Sequence, residues 1–229
     1  MTVHSFSSAA GAAAPLTRAR VSGSLPVWSL SLGCPKNRVD TEHLLGSLGM
    51  PVHSVEHMGR ARLVFINTCG FIEPAVRESI RSILDAVERL GRCKRRPLLA
   101  VAGCMVGRYG VKELAADLPE VDLWLPTGEL ENWPAMVRAA PGRLLSTGPS
   151  YAWLKVGEGC RHKCAFCTIP SIRGPLRSVP AADLREEARS LLAGGVRELV
   201  LVAQDLTSWG SDFDTPQSLP HLLDELLPL

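Results

Sequence analysis

From residue 26 onward the chain alternates short apolar runs with longer amphipathic stretches, which is the pattern that βα units of a parallel sheet produce. Within residues 76–90 the apolar side chains recur at helical spacing, and charged side chains take the opposite face. We therefore predict an α/β fold. The predicted strands of its first part are 27–32, 52–56, 63–67, 98–102 and 121–125, and the predicted helices are 39–48, 76–90, 109–118 and 130–140.

The length of 229 residues favours two domains over one large core. A stretch containing Gly, Pro and Ser, residues 141–150, is typical of a linker. We assign residues 1–25 to a disordered tail and residues 26–141 to an N-terminal domain with an open parallel sheet. The linker then covers residues 142–150, and the second domain covers residues 151–229.

The second domain has predicted strands at 152–156 and 198–203 around a predicted helix at 182–192, which Gly194 and Gly195 are expected to cap. A closed (β/α)8 barrel typically needs about 250 residues, and even a partial barrel needs several βα units. The few units present here cannot complete one. We therefore expect the first units of a truncated barrel, and we expect a chain that stops there to be inactive alone.

The cysteine content indicates the cellular compartment, whereas the net charge leaves the binding partners of the protein undecided. A formal net charge of +2 and a pI near 8.2 are too mild to indicate a nucleic-acid partner, so RNA binding is left undecided. No stretch of the sequence approaches the roughly 20 apolar residues that span a bilayer, so we expect no membrane partner. Seven cysteines are an odd number and lie beside structural motifs, which favours a reducing, cytoplasmic setting.

The strongest local signal is a C-x3-C-x2-C run after the predicted strand 152–156, formed by Cys160, Cys164 and Cys167. Three thiolates in so short a run can converge on one metal centre, and iron-sulfur clusters are normally held by cysteine thiolates. Three ligands for a cubane leave one iron without a protein ligand, so a small molecule can coordinate there. The alternative is a zinc site with His162 as the fourth ligand, although zinc sites usually pair two C-x2-C arms.

A second set of cysteines, Cys34, Cys69 and Cys104, has members 35 residues apart. Each follows a predicted strand almost at once and precedes a predicted helix. Because the carboxyl ends of parallel strands share one edge, we expect the three thiols to meet there, where helix N-termini favour thiolate charge. We predict a metal centre, with buried inert cysteines as the alternative. Cys93, in a basic turn at the end of a helix, is interpreted as incidental.

Several segments around these cysteines resemble a single family. They are SLGCPKNRVD at 31–40, NTCGFI at 67–72, AGCM at 102–105, EGC at 158–160, IPSIRG at 169–174 and AQD at 203–205. In this order they resemble the radical S-adenosylmethionine methylthiotransferases, and they are more similar to the branch that modifies a ribosomal protein than to the branches that modify tRNA. The resemblance runs from about residue 27 to the end of the chain.

The resemblance implies an N-terminal methylthiotransferase domain followed by part of a radical S-adenosylmethionine barrel. It implies two 4Fe-4S clusters, with S-adenosylmethionine bound at the open iron of the second. The first cluster would be held by Cys34, Cys69 and Cys104, and the second by Cys160, Cys164 and Cys167. The second cluster would generate a radical from S-adenosylmethionine that abstracts hydrogen from the substrate, and the first would carry or deliver the methylated sulfur.

The resemblance also implies contacts to the cofactor around the second cysteine set. The residues concerned are Gly157, Glu158, Gly159, Phe166, Gln204 and Asp205. The two glycines of the segment 157–159 permit close backbone approach to a cluster, although a solvent-exposed turn is an equally good interpretation of the segment. Phe166 is part of the family signature because it directly precedes the last cysteine. The sequence identifies no catalytic side chain beyond these residues.

In the branch that this sequence resembles, the substrate is the β-carbon of an aspartate in ribosomal protein S-twelve, presented alone or in the small ribosomal subunit. A low-potential donor such as flavodoxin or ferredoxin would supply the electron. The first alternative is a tRNA adenosine methylthiotransferase, with tRNA as the substrate. The alternative from another class is a non-catalytic metal or redox-binding module, for example one loaded with zinc.

Overall fold

The structure is a computed structural model that describes residues 24–48, 50–127 and 143–229. Most of the predicted tail, residues 1–23, lies outside the described residues, and so does the predicted helix 130–140. In the described ranges, no helix is both long enough and apolar enough to cross a membrane.

The chain divides into two compact units between Ser146 and Thr147. Unit 1 ends at Ser146 and unit 2 begins at Thr147. The division falls inside the predicted linker 142–150, so the structure is compatible with the expected two domains. The exact domain bounds stay a prediction.

Unit 1 is built on a five-stranded sheet in which every neighbouring pair of strands is parallel. The strand order is β2-β1-β3-β4-β5. The strands are β1 Leu25–Ser31, β2 Val52–Ser54, β3 Leu63–Thr68, β4 Leu98–Gly103 and β5 Leu123–Pro126. The predicted α/β fold with an open parallel sheet is confirmed, and each predicted strand of this part occurs within a few residues of its predicted position.

The described helices of unit 1 are α1 Pro35–Gly46, α2 Glu73–Gly91, α3 Cys104–Tyr109 and α4 Val111–Asp117. A proline lies at the start of α1, where its missing N–H costs no helical hydrogen bond, and α1 therefore begins before the predicted residue 39. The predicted helix 109–118 is also corrected. Gly110, with φ of 81°, separates α3 from α4 and divides the helical stretch.

The sheet of unit 1 is packed on both faces, because neighbouring residues of a strand point to opposite sides. In β3, Val64 and Ile66 join the apolar cluster that contains Ile83 of α2, whereas Phe65 joins the cluster that contains Leu44 of α1. Each of these fully buried side chains contributes about 1.5–3 kcal/mol through removal from water. This packing holds the loops at the carboxyl ends of the strands between two layers of helices.

Unit 2 contains a parallel strand pair with a helix in the chain between them. Its elements are β6 Tyr151–Lys155, β7 Gly157–Glu158, α5 Ile169–Arg173, β8 Arg177–Ser178, α6 Ala181–Ala193, β9 Glu198–Val202 and α7 Leu219–Leu226. The parallel pair is β6 with β9, as predicted. The cap on α6 is also confirmed: Gly195 N donates to Leu192 O at 2.9 Å and Val196 N donates to Leu191 O at 3.1 Å, which is a Schellman motif.

Candidate metal centres

The three cysteines of unit 1 follow three strands that are adjacent in the sheet. Cys34 is the N-cap of α1, shortly after β1 ends. Cys69 directly follows β3, and Cys104 is the first residue of α3, directly after β4. Because β1, β3 and β4 are neighbours and parallel, their carboxyl ends lie along one edge, which is where open parallel sheets bind ligands.

Two glycines allow the three cysteine loops to pack directly against one another. Gly33 has φ of 85°, and a Cβ added there would lie 2.8 Å from Cys69 Cβ and 2.9 Å from Cys69 Sγ. A Cβ added at Gly70 would lie 2.7 Å from the backbone N of Met105 and 2.8 Å from the carbonyl carbon of Cys104. The Cys34 loop therefore lies against Cys69, and the Cys69 loop lies against Cys104.

Gly70→Ala tests this packing. A methyl group would overlap backbone atoms of Met105 that cannot move aside, and overpacking of this kind costs about 1–3 kcal/mol. We expect the free energy of unfolding in urea to fall by that amount. Gly91→Ala is the control, because a Cβ there meets no atom within 4 Å and the helical position gains about 0.5–1 kcal/mol. Equal stability of Gly70→Ala and the original protein would contradict the close approach.

A buried asparagine connects the same three loops. Asn37 Nδ2 donates to Leu32 O and to Thr68 O, both at 2.9 Å, and these carbonyls precede the first two cysteine loops. The thiol of Cys104 donates to Asn37 Oδ1 at 3.7 Å. Sequence reasoning missed Asn37, although an amide in the first turn of a helix that follows a strand-end cysteine is a signal that could have identified it.

The backbone of Cys69 has its own support from α2. Its N–H donates to Ser79 Oγ at 3.0 Å, and the Ser79 hydroxyl donates to Cys69 O at 2.8 Å. Ser79 is fully buried, so this pair of bonds is shielded from water. The central cysteine of unit 1 is thus fixed by α2, and its two neighbours are fixed relative to it by Asn37 and the glycine contacts.

Asn37→Ala is predicted to destabilise unit 1 by about 2–6 kcal/mol, because two buried carbonyl oxygens lose their donor and each loss costs about 1–3 kcal/mol. Urea unfolding measures this change. Ser82→Ala removes a hydroxyl that bonds only within α2 to Glu78 O, and it should change stability by no more than about 0.5 kcal/mol. A loss as small for Asn37→Ala as for Ser82→Ala would contradict the role of Asn37.

The cysteines of unit 2 lie in the loop between β7 and α5. Cys160 N donates to Gly174 O at 3.2 Å, so the start of the loop is bonded to the residue that follows α5. Cys167 N donates to Cys164 O at 3.1 Å, which forms a tight turn inside the loop. Cys164 is exposed, and the ring of Phe166 is 89% exposed. The loop therefore presents its thiols and the signature aromatic ring to the surface of unit 2.

The two cysteine sets fit an iron-sulfur centre by their donor chemistry, although their side chains are not arranged as a finished site. In the described part of the chain, no group of three or more His, Cys, Asp or Glu side chains could hold a metal ion as placed. All seven cysteines lie in the described part of the chain, and none of them forms a disulfide. Three thiols on closely packed loops are the donors that a cubane requires, so the ligand assignments stay predictions that the structure is compatible with.

The segment 157–159 is not the solvent-exposed turn that one interpretation allowed. Gly157 and Glu158 form β7, which pairs antiparallel with β8, and all three residues of the segment are buried. Gly159 has φ of 73°, and a Cβ there would lie 2.0 Å from Pro175 O. Only glycine fits at this position, because any side chain would overlap the backbone of the returning chain.

The Glu158 carboxylate is surrounded by donors. Its Oε2 accepts from Lys155 Nζ and from Arg173 Nη1, both at 3.0 Å. Its Oε1 accepts from Gly159 N at 3.2 Å and from Gln204 Nε2 at 2.6 Å. Glu158 is 7% exposed and Arg173 is 1% exposed, so loss of either partner would leave a buried charge, at a cost of about 3–5 kcal/mol.

Asp205, the last predicted contact residue, contacts the middle of the cysteine loop. Its Oδ2 lies 2.8 Å from His162 Nε2, and its Oδ1 accepts from Thr207 Oγ1 at 2.9 Å. A hydrogen bond from Ser208, followed by those from Thr207 and His162, lowers the pKa of Asp205 below its ordinary value. His162, which the alternative zinc interpretation makes the fourth ligand, thus bonds a carboxylate through Nε2.

Comparison with known proteins agrees with this architecture. Residues 27–126 match a family model described as "Uncharacterized protein family UPF0004". Over 213 residues the chain is 63% identical to "Ribosomal protein uS12 methylthiotransferase RimO" of Nitratidesulfovibrio vulgaris, which covers 90% of this chain and 50% of that protein. Proteins with the same name from Oleidesulfovibrio alaskensis and Lawsonia intracellularis are 59% and 51% identical, covering 90% and 91% of this chain and 50% and 49% of their own lengths.

Over about 90% of its length the chain is therefore similar to methylthiotransferases, the enzyme class that these names share. Within that class it corresponds to the N-terminal part of the RimO proteins. It spans about half the length of the curated relatives that it matches.

Proposed function

We propose that the protein to which this chain belongs methylthiolates the β-carbon of an aspartate in ribosomal protein uS12. The names of the relatives support this substrate, since all of the relatives described above are named as methylthiotransferases of ribosomal protein uS12. The observation that carries the proposal is the packing of Cys34, Cys69 and Cys104 at one edge of the sheet. Buried cysteines without a function need not lie close to one another, whereas a cluster requires its thiolates to lie on loops that converge.

The proposed cofactors are two 4Fe-4S clusters and S-adenosylmethionine. One cluster would be held by Cys34, Cys69 and Cys104, and the other by Cys160, Cys164 and Cys167. Together these groups would supply a carbon-centred radical on the substrate and the sulfur that it receives. A low-potential donor such as flavodoxin or ferredoxin would deliver electrons, and the cytoplasm is the proposed location because none of the seven cysteines forms a disulfide.

The chain's own residues bind and orient in this proposal. Asn37 keeps the first cysteine set at fixed spacing through its bonds to the neighbouring loops. Gly157 and Gly159 allow the backbone before the second loop to pack against the chain that returns from it, and the exposed side chain of Phe166 is available to cover a ligand from water. The contacts proposed for Glu158, Gln204 and Asp205 are at the same end of unit 2, beside the loop.

A deletion strain tests the substrate directly. In cells that lack the gene, the target aspartate of uS12 should carry no methylthio group, and the full-length gene should restore it. Mass spectrometry of uS12 and of tRNA nucleosides from the same cells distinguishes the substrates. A change in tRNA methylthiolation with unmodified uS12 in both strains would contradict the proposal and would identify a tRNA-modifying enzyme.

A further inference from the structure

A buried polar cluster joins three separate elements around the cysteine loop of unit 2. Glu158 lies in β7, two residues before Cys160. Arg173 is the last residue of α5, after the loop has returned. Gln204 follows the end of β9 and reaches Glu158 across 46 positions of sequence. We call Glu158, Arg173 and Gln204 the loop clamp.

The backbone closes the loop at the same place. Cys160 N donates to Gly174 O, and Gly159 lies so close to Pro175 that only glycine fits. The two ends of the loop therefore touch, and the ion pair between Glu158 and Arg173 lies directly at this closure. A loop whose ends are joined in this way has far fewer arrangements for the thiols between them than an open loop has.

The composition of the clamp points to positioning rather than to stability. A buried ion pair is often no more stabilising than apolar residues of the same size, because both charges lose their water. What it does provide is directional bonding. Both carboxylate oxygens of Glu158 already accept two hydrogen bonds each, from protein donors on three elements and from its own neighbour. These donors hold the Glu158 carboxylate in one orientation.

A second contact fixes the middle of the loop from the same strand end. His162 lies between Cys160 and Cys164, and its ring bonds Asp205, the residue after Gln204. Asp205 is held in turn by Thr207 and Ser208. The end of β9 thus bonds the loop at its base through Gln204 and at its centre through Asp205.

We infer that Glu158, Arg173 and Gln204 are positioning residues that set the spacing of Cys160, Cys164 and Cys167, so that the three thiolates can hold one cluster. The inference rests on the proposed function, in which this loop carries an iron-sulfur cluster. It assigns Glu158 and Gln204 an indirect role through the cysteine loop. Outer partners that orient metal ligands typically change metal affinity about 10–100-fold when they are removed.

The test isolates the second loop within the full 229-residue chain. Cys34→Ala, Cys69→Ala and Cys104→Ala together remove the first set, so that any cluster formed resides on the second. The chain is reconstituted anaerobically with iron and sulfide, and two quantities are measured: iron per chain, and the rate at which a chelator removes that iron. The thermal unfolding midpoint of each variant is recorded in parallel.

Glu158→Gln and Arg173→Met should each release iron about tenfold faster or more than the background chain. Arg173→Lys keeps a charge opposite Glu158 and should restore part of the difference. Glu42→Gln is the matched control, because it also breaks a buried ion pair, with Arg143 in unit 1. It should lower the unfolding midpoint without changing iron release, which separates positioning from general stability.

Gln204→Ala is a second test that applies even where Glu158→Gln or Arg173→Met fails to fold. It leaves the ion pair intact and removes one neutral donor, so an intermediate rate of iron release in a folded chain also supports the inference. Iron release at the background rate in Glu158→Gln, Arg173→Met and Gln204→Ala would overturn it while leaving the proposed function intact. A background chain that binds no iron at all would overturn the proposed function, and the inference with it.

Discussion

We expect replacement of Cys160 by alanine in the full-length protein to abolish cleavage of S-adenosylmethionine, and replacement of Cys69 to leave cleavage intact while methylthiolation is lost. The reason is that the two cysteines lie in different compact units and belong to different sets. The second set alone has the C-x3-C-x2-C spacing that resembles the S-adenosylmethionine-binding signature, so the cofactor would bind at the open iron of its cluster. Cys69 is fixed by Ser79 within unit 1, so its loss should disturb only the first set.

Two products measure this division of labour. Formation of 5′-deoxyadenosine reports cleavage, and the mass of the uS12 peptide reports methylthiolation. Cys93→Ala is the control, because this thiol lies outside both cysteine sets and donates to the carbonyl of Arg89 one turn earlier, and it should change neither product. Equal loss of 5′-deoxyadenosine in the Cys160 and Cys69 variants would contradict separate roles for the two sets.

Cys164→Ala is expected to remove about half of the iron from the anaerobically reconstituted chain, because one of two cubanes loses a ligand. Cys164 is exposed in its loop, and the substitution leaves no buried cavity in unit 2. The remaining iron should stay with the unit 1 set, whose loops pack directly against one another. Cys93→Ala should retain the full iron content.

Iron and acid-labile sulfide assays on the same samples make this comparison. A variant that keeps all its iron would mean that Cys164 is not a ligand. A variant that loses all of it would mean that the two sets do not load independently. Circular dichroism of each variant serves as the check on folding, since both interpretations require an intact α/β fold.

The sheet of unit 1 could be predicted because its signal is local and repeated. Each strand is a short apolar run, since a parallel sheet buries both of its faces, and α2 shows one apolar side at helical spacing. The ends of the helices were predicted less accurately than the presence of strands and helices. The start of α1 at Pro35 depends on a proline that suits the first helical turn, and the break between α3 and α4 depends on one backbone angle at Gly110.

The elements around the second cysteine set escaped prediction because they are too short to have a period. β7 and β8 pair over two residues each, and α5 is a five-residue helix. Their formation depends on the close approach of Gly159 to Pro175, which is a tertiary contact. No short stretch of the sequence indicates this contact.

The cysteines of the candidate centres could be identified because their spacing is a local sequence pattern. The supporting residues Asn37 and Arg173 could not be identified in this way. Asn37 acts on loops that are far apart in sequence, and its partner Thr68 lies 31 residues away. Arg173 meets Glu158 across 15 positions, after the chain has turned back. Whether a polar residue becomes buried depends on the tertiary packing. A buried charged residue therefore cannot be distinguished from an exposed one in the sequence.

We propose that this chain holds two iron-sulfur centres, one in each unit. The content of iron, sulfide and zinc in the chain after anaerobic purification and reconstitution tests this proposal directly. We predict a brown protein with about eight irons and a similar amount of sulfide per chain, as two cubanes require. A colourless protein that carries zinc and no sulfide would contradict it.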